Sequence, residues 1–199
     1  MSSRDVVLGR VRAALRAGTP AGPVPRAYRQ ESKVDLDLLV DRLIDYRAVV
    51  HRAADVAEVV ATILPAGATV VVPPRLPRDW LPPAVEALVD HGLPADRIAA
   101  ADGVLTAAAV AVAETGTIVL DGSPDQGRRI ISLLPDLHIC VLRQEQVVGG
   151  VPEAVARLDP HRPLTWISGP SATSDIELNR VEGVHGPRNL HVILLETPG

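Results

Sequence analysis

Near the start of the chain, Val7, Val11, Ala14 and Leu15 recur at helical spacing after Ser3, a capping residue, and Gly18 marks the stop. Thr19 to Pro25 holds three prolines and one glycine, the composition of an extended linker. Residues 1–33 therefore read as an arm and 34–199 as the folded domain. From Val34 the periods alternate. Leu36, Leu39, Val40, Leu43 and Ile44 predict a helix, Ala48-Val49-Val50 a strand, and Val56, Val59, Val60, Ile63 and Leu64 a second helix closed by Pro65-Ala66-Gly67. Ala68 to Val72 is a β-branched run suited to a strand buried on both faces, and Val85, Leu88 and Val89 predict a helix stopped near Gly92. Four more strands follow in 118–120, 137–142, 164–167 and 190–195, separated by Gly, Pro, Ser and Asp clusters. This rhythm predicts an open, mostly parallel α/β sheet, with ligands beyond the carboxyl ends of its strands.

Composition narrows the function classes. Hydrophobic residues are 47% and charged residues 22% of the 199, enough for a sizeable core, but with two Trp, two Tyr and no Phe that core must be aliphatic. A net charge of −4 and so few aromatics argue against a nucleic-acid partner. Cys140 is the single cysteine, so the chain alone has no disulfide and no cysteine-ligated iron–sulfur cluster; no cofactor is expected in it. Lys33 is the single lysine and follows no glycine-rich loop, which excludes P-loop chemistry. The longest apolar stretch, Val104 to Ala113, is about ten residues, too short to span a bilayer, and no signal segment precedes it, so a cytoplasmic location is expected.

Four segments can carry chemistry. In Glu114-Thr115-Gly116-Thr117 a glycine suited to positive φ stands among hydroxyls and a carboxylate; a plain turn between strands explains the same residues. Asp121 to Ile131 can present Arg128 or Arg129 to a carboxylate or phosphate, or merely to solvent. Gly169 to Glu177 follows a strand, and Ser171, Thr173, Ser174 and Asp175 stand at a helix start; Ser174 and Glu177 have capping-box spacing, yet such a start also binds anions. His185 and Arg188 flank a Gly-Pro turn, where an imidazole can serve as acid, base or donor. His138 and His191 fall inside strand patterns and read as packed histidines, and no histidine pair has metal-site spacing.

Taken together, Ala-Glu-Thr-Gly-Thr at 113–117, Leu-Pro-x-x-His at 134–138, Gly-Pro-Ser-x-x-x-Asp-Ile-Glu at 169–177 and Gly-Val-His-Gly-Pro-Arg-x-Leu-His-Val at 183–192 resemble the lactate utilization protein C family of LUD-domain proteins. The resemblance covers about 104–195. It implies an open Rossmann-like fold similar to the glucosamine-phosphate isomerase, ribose-phosphate isomerase and CoA-transferase group. It also implies a part in bacterial oxidation of lactate to pyruvate beside two partner proteins that carry the iron–sulfur clusters. The leading expectation is a non-redox subunit that binds a small carboxylate or other anion where the 114–117 turn, the 171–174 helix start and the His185/Arg188 loop converge. Two alternatives stand beside it: a stand-alone acyl- or CoA-transferase-like enzyme using Glu114 as nucleophile, and a scaffold without catalysis. Glu114 and His185 are the candidate catalytic residues; Thr115, Gly116, Thr117, Arg128, Ser171, Thr173, Ser174, Asp175 and Arg188 are the candidate ligand contacts. Homo-oligomerisation is left open.

Overall fold

The computed structural model describes residues 2–17, 22–171 and 186–196. Among these residues five helices, α1 (Ser3–Ala17), α2 (Leu36–Asp45), α3 (Val56–Ile63), α4 (Ala95–Ala99) and α5 (Val151–Arg157), accompany ten strands. Six strands form one wholly parallel sheet: β1 (Val49–Ala53), β2 (Thr69–Val72), β3 (Glu86–Val89), β4 (Gly103–Ala107), β7 (Leu137–Arg143) and β10 (Asn189–Leu195), in the order β1-β10-β7-β4-β2-β3. The other four, β5 (Val110–Val112), β6 (Thr117–Leu120), β8 (Val147–Val148) and β9 (Thr165–Ile167), form a second sheet ordered β8-β5-β6-β9.

Alternation along the central strands builds the layers. Ile139 and Val141 of β7, with Leu105 and Ile193, face α3 through Val56, Val60 and Leu64. Cys140 and Leu142 point the other way, toward Leu39 and Leu43 of α2 and toward Ala111 and Ile118 of the second sheet. α5 closes the outside of that second sheet on Val110, Val112, Val119 and Val148 through Ala154. With no phenylalanine available, these layers are filled by Val, Leu, Ile and Ala; each fully buried Leu or Ile contributes roughly 1.5–3 kcal/mol.

The α/β architecture expected from the alternating periods is present, with three local differences. Residues 118–120 and 164–167 do not extend the parallel sheet. The connection from β5 to β6 is a single short turn, which permits only antiparallel pairing, so the chain turns away into a sheet of its own. The segment expected to be a helix around Val85 to Val89 is instead the edge strand β3, paired with β2 from Thr69↔Glu86 to Val72↔Val89. Four residues are too few for a stable helix, and the open backbone of β2 supplies hydrogen-bond partners that local periodicity cannot foresee. Finally, the cap of α1 is Ser2, whose Oγ accepts from the Asp5 amide, one residue before the expected Ser3. Gly18 and the first part of the linker lie outside the described residues. Within the described part of the arm, Ser32 packs against Gly149 and Arg29 reaches Glu114.

Candidate functional site

Two open clefts, of about 330 and about 240 Å³, lie where edge strand β9 passes over the main sheet. They share Arg129, Ser132 and Thr165 and so form one groove. The first is bounded by Pro74 and Asp90, which follow β2 and β3, and by the loop from Gly122 to Arg129. The second is bounded by His138 and Leu190, the second residues of β7 and β10, and by Ser168 to Ser171, Gly186 and Pro187. Only the first therefore lies at carboxyl ends of parallel strands. The second opens at their amino ends, between the 129–132 turn and the segment following β9.

The loop that carries the arginines is folded on itself. Gln126 is buried and its Oε1 accepts from the Asp121 amide at 2.6 Å, while Gly127 at φ 74° turns the chain where a Cβ would stand 2.7 Å from Ile131 Cδ1. That turn sends two adjacent guanidinium groups to different neighbours. Arg128 donates from Nε and Nη2 to the two oxygens of Asp90 at 2.8 and 2.6 Å, and from Nη2 to the Leu93 carbonyl at 3.0 Å. The Asp90 side chain is 1% exposed and also accepts from the amides of Gly92 and Leu93, so Arg128 and these donors hold its carboxyl below the usual carboxylate range. Arg129, by contrast, donates from Nη1 to Thr165 Oγ1 at 2.9 Å and has no carboxylate partner among the described residues.

His138 forms part of the floor of the second cleft. Its Nε2 lies 2.9 Å from Thr106 Oγ1, and burial pushes the imidazole down to about 4, so it is neutral at physiological pH. Neighbouring Cys140 is buried too, which pushes its thiol up to about 12 and opposes thiolate chemistry. Elsewhere, His51 and His191 stack with Nε2 and Nδ1 3.0 Å apart, but no group of three or more potential metal ligands occurs among the described residues.

The residues singled out from the sequence are divided by the fold. Glu114, Thr115 and Gly116 form the turn between β5 and β6. Gly116 is left-handed at φ 59°, but the backbone it approaches is that of α2: a Cβ there would lie 2.7 Å from Arg42 Cβ. Glu114 is ion-paired with Arg29 of the arm and lines neither cleft. Thr115 donates to Thr117, and Thr117 Oγ1 is 2.8 Å from Ser168 Oγ, which carries this hydroxyl chain to the second cleft. Ser171 donates its amide to the Pro187 carbonyl at 2.7 Å, bringing the two flanks of 172–185 together at the rim. Arg188 forms a fork on Asp136, with Nε–Oδ1 at 2.5 Å and Nη2–Oδ2 at 2.9 Å, and holds the Asp136 carboxyl low. Thr173, Ser174, Asp175 and His185 lie outside the described residues.

Sequence reasoning names Arg129 beside Arg128 as a possible anion contact but keeps only Arg128 among the ligand contacts, and it does not assign Thr165, Ser168 or His138 to the site. A signal existed for His138, the last residue of the Leu-Pro-x-x-His segment, but its apolar neighbours in a strand pattern pointed to the core. For Arg129 the signal is the same as for Arg128, and the sequence cannot choose between them because the partner that distinguishes the two, Asp90, comes from a distant loop.

Comparison with known proteins agrees with this architecture. The LUD domain model matches residues 95–195. A lactate utilization protein C from Deinococcus radiodurans is 49% identical over 183 residues, covering 88% of this chain and 85% of that protein. The Bacillus subtilis lactate utilization protein C is 35% identical over 99 residues, 46% of this chain and 41% of its own length. A crystal structure of a DUF162 family protein from Deinococcus radiodurans superimposes with a TM-score of 0.69 at 41% identity, covering 81% of this chain and 96% of that one. The chain belongs to the lactate utilization protein C family of LUD-domain proteins.

Proposed function

We propose that this protein serves lactate utilization as a non-redox subunit and that its groove binds a small carboxylate. The observation that carries the reading is Arg129: at the junction of the two clefts, its guanidinium meets a neutral hydroxyl and no carboxylate among the described residues. A guanidinium in a concave, largely apolar site with hydroxyls around it grips a carboxylate with two parallel hydrogen bonds. Ser132, Thr165, Ser168 and Ser171 supply those hydroxyls. Electron transfer would fall to two partner proteins bearing iron–sulfur clusters, since a single buried cysteine cannot ligate one. Partner docking has its own support in α1, where Val7, Val11 and Leu15 are 58%, 49% and 73% exposed on an arginine-bearing helix.

Calorimetric titration with lactate and pyruvate, on the protein alone and with both redox partners, tests the pocket. The expected result is saturable binding that weakens at least roughly tenfold in Arg129→Gln. Absence of binding in both settings retires the carboxylate site. Loss of assembly on truncation before Val34 tests the arm as the docking element; assembly that survives assigns docking to another surface.

A further inference from the structure

The second cleft holds a polar atom that a grip by Arg129 does not use. Alternation along β7 sends Cys140 and Leu142 into the layer beneath the second sheet, and His138 shares their direction, toward the cleft it lines. The residue is only 1% exposed. Its Nε2 is engaged with Thr106 Oγ1, and its Nδ1 has no hydrogen-bond partner among the described residues. Every fully enclosed side-chain nitrogen or oxygen among those residues does have a partner, so Nδ1 is not enclosed; it opens on the cleft.

The hydrogen-bond arithmetic around Thr106 decides what Nδ1 carries. Thr106 is fully buried, and its hydroxyl proton needs an acceptor. Two are in reach. The Cys140 sulfur is a weak acceptor, and its own S–H is directed to the Ala107 carbonyl at 3.8 Å. The imidazole nitrogen at 2.9 Å is a strong one. With Thr106 donating to Nε2, the proton of the neutral ring resides on Nδ1. The low basicity of the buried ring keeps it in that uncharged form, so the cleft floor offers an N–H donor without a positive charge.

We propose that His138 is a specificity-determining contact of this site, its Nδ1–H donating to a second acceptor oxygen on the anion whose carboxylate Arg129 holds. The proposal rests on the carboxylate reading of the groove and adds a requirement to it: the ligand carries an acceptor oxygen besides its carboxylate, as a 2-oxo acid does and propionate does not. A ligand without that oxygen leaves a desolvated N–H unpaired, which disfavours it roughly ten- to hundredfold. Thr106 is a positioning residue that acts through the tautomer.

The test combines nitrogen-15 NMR of the histidine rings with titrations of pyruvate and propionate on the full chain. At pH 7 the His138 ring is expected to show a protonated Nδ1 and a bare Nε2. Pyruvate should shift Nδ1 and propionate should not. Pyruvate should bind at least roughly tenfold tighter than propionate, a preference lost in His138→Leu and retained in His138→Asn, whose amide can replace the Nδ1 donor. Thr106→Val should reduce the Nδ1–H population. An Nε2–H tautomer, an Nδ1 unmoved by bound pyruvate, or an unchanged ligand preference in His138→Leu overturns the proposal while leaving the Arg129 grip intact. Failure of pyruvate to bind at all overturns both. If His138→Leu does not fold, the ring spectra of the unaltered protein decide the matter.

Discussion

Arg128 and Arg129 are neighbours in sequence and line the same groove, yet their surroundings assign them opposite work. Arg128 is held by a carboxylate buried at the ends of β2 and β3 and by a backbone carbonyl, so its hydrogen-bonding capacity joins two loops to each other. Arg129 meets a threonine hydroxyl. The same contrast separates the 113–117 turn from the His138 floor. In the turn, Glu114 faces Arg29, Gly116 packs on α2, and the two threonines bond to each other and to Ser168. On the floor, one ring nitrogen is engaged by Thr106 and the other opens on the cleft. Residue type marks where chemistry is available; the count of partners already engaged decides where it is used.

The largest effect is on acid stability. The folded protein lowers the proton affinity of His138 from 6.5 to about 4, so the unfolded chain binds the extra proton; stability is complete above about pH 6.5 and is lost as pH falls toward 4, by up to about 3 kcal/mol. His51 and His191, also lowered by burial, act in the same direction. Urea denaturation across that range should show the slope, and a flat profile contradicts the buried neutral state of the ring.

Next is Gly116→Ala, which puts a side chain on left-handed backbone and against Arg42 of α2; about 2–3 kcal/mol of destabilisation is expected. A loss under about 1 kcal/mol would show that α2 does not close on the turn.

Arg128→Ala should cost about 2 kcal/mol, less than a fully buried pair because Arg128 is itself 48% exposed, while leaving the Asp90 carboxylate enclosed with two amides. Smallest is Arg129→Ala, within about 0.5 kcal/mol of the parent in stability. Comparable losses from the two arginine variants would erase the distinction drawn between them.

The layered fold was legible because its signals are local. The uninterrupted β-branched run at 69–72 and the alternating periods before it require no partner to interpret, and they form β2, α2 and α3. The second sheet was less legible, since the strands in 118–120 and 164–167 look like any others until the short turn after β5 forces antiparallel pairing. β3 reads as a helix because four apolar-patterned residues satisfy two periods, and the tie is broken by an edge of β2 seventeen residues away. The site divides along the same line. Thr117, Arg128 and Ser171 were recognised as polar groups in suggestive loops, but whether each is engaged depends on Ser168, Asp90 and Pro187, which sequence alone does not bring near. Arg129 cannot be told from Arg128, and His138 reads as core, for the converse reason: adjacency to another arginine and an apolar strand context hide a group whose remaining valence faces a cavity.

The most direct measurement of the central claim is a backbone-amide NMR titration with pyruvate. Shifts are expected at Arg129, Ser132, Leu133, His138, Thr165, the 168–171 segment and Gly186, with Arg29 and Glu114 silent. Shifts centred on Glu114 and Arg29, with the 129–133 turn unmoved, would place the ligand at the arm and contradict it.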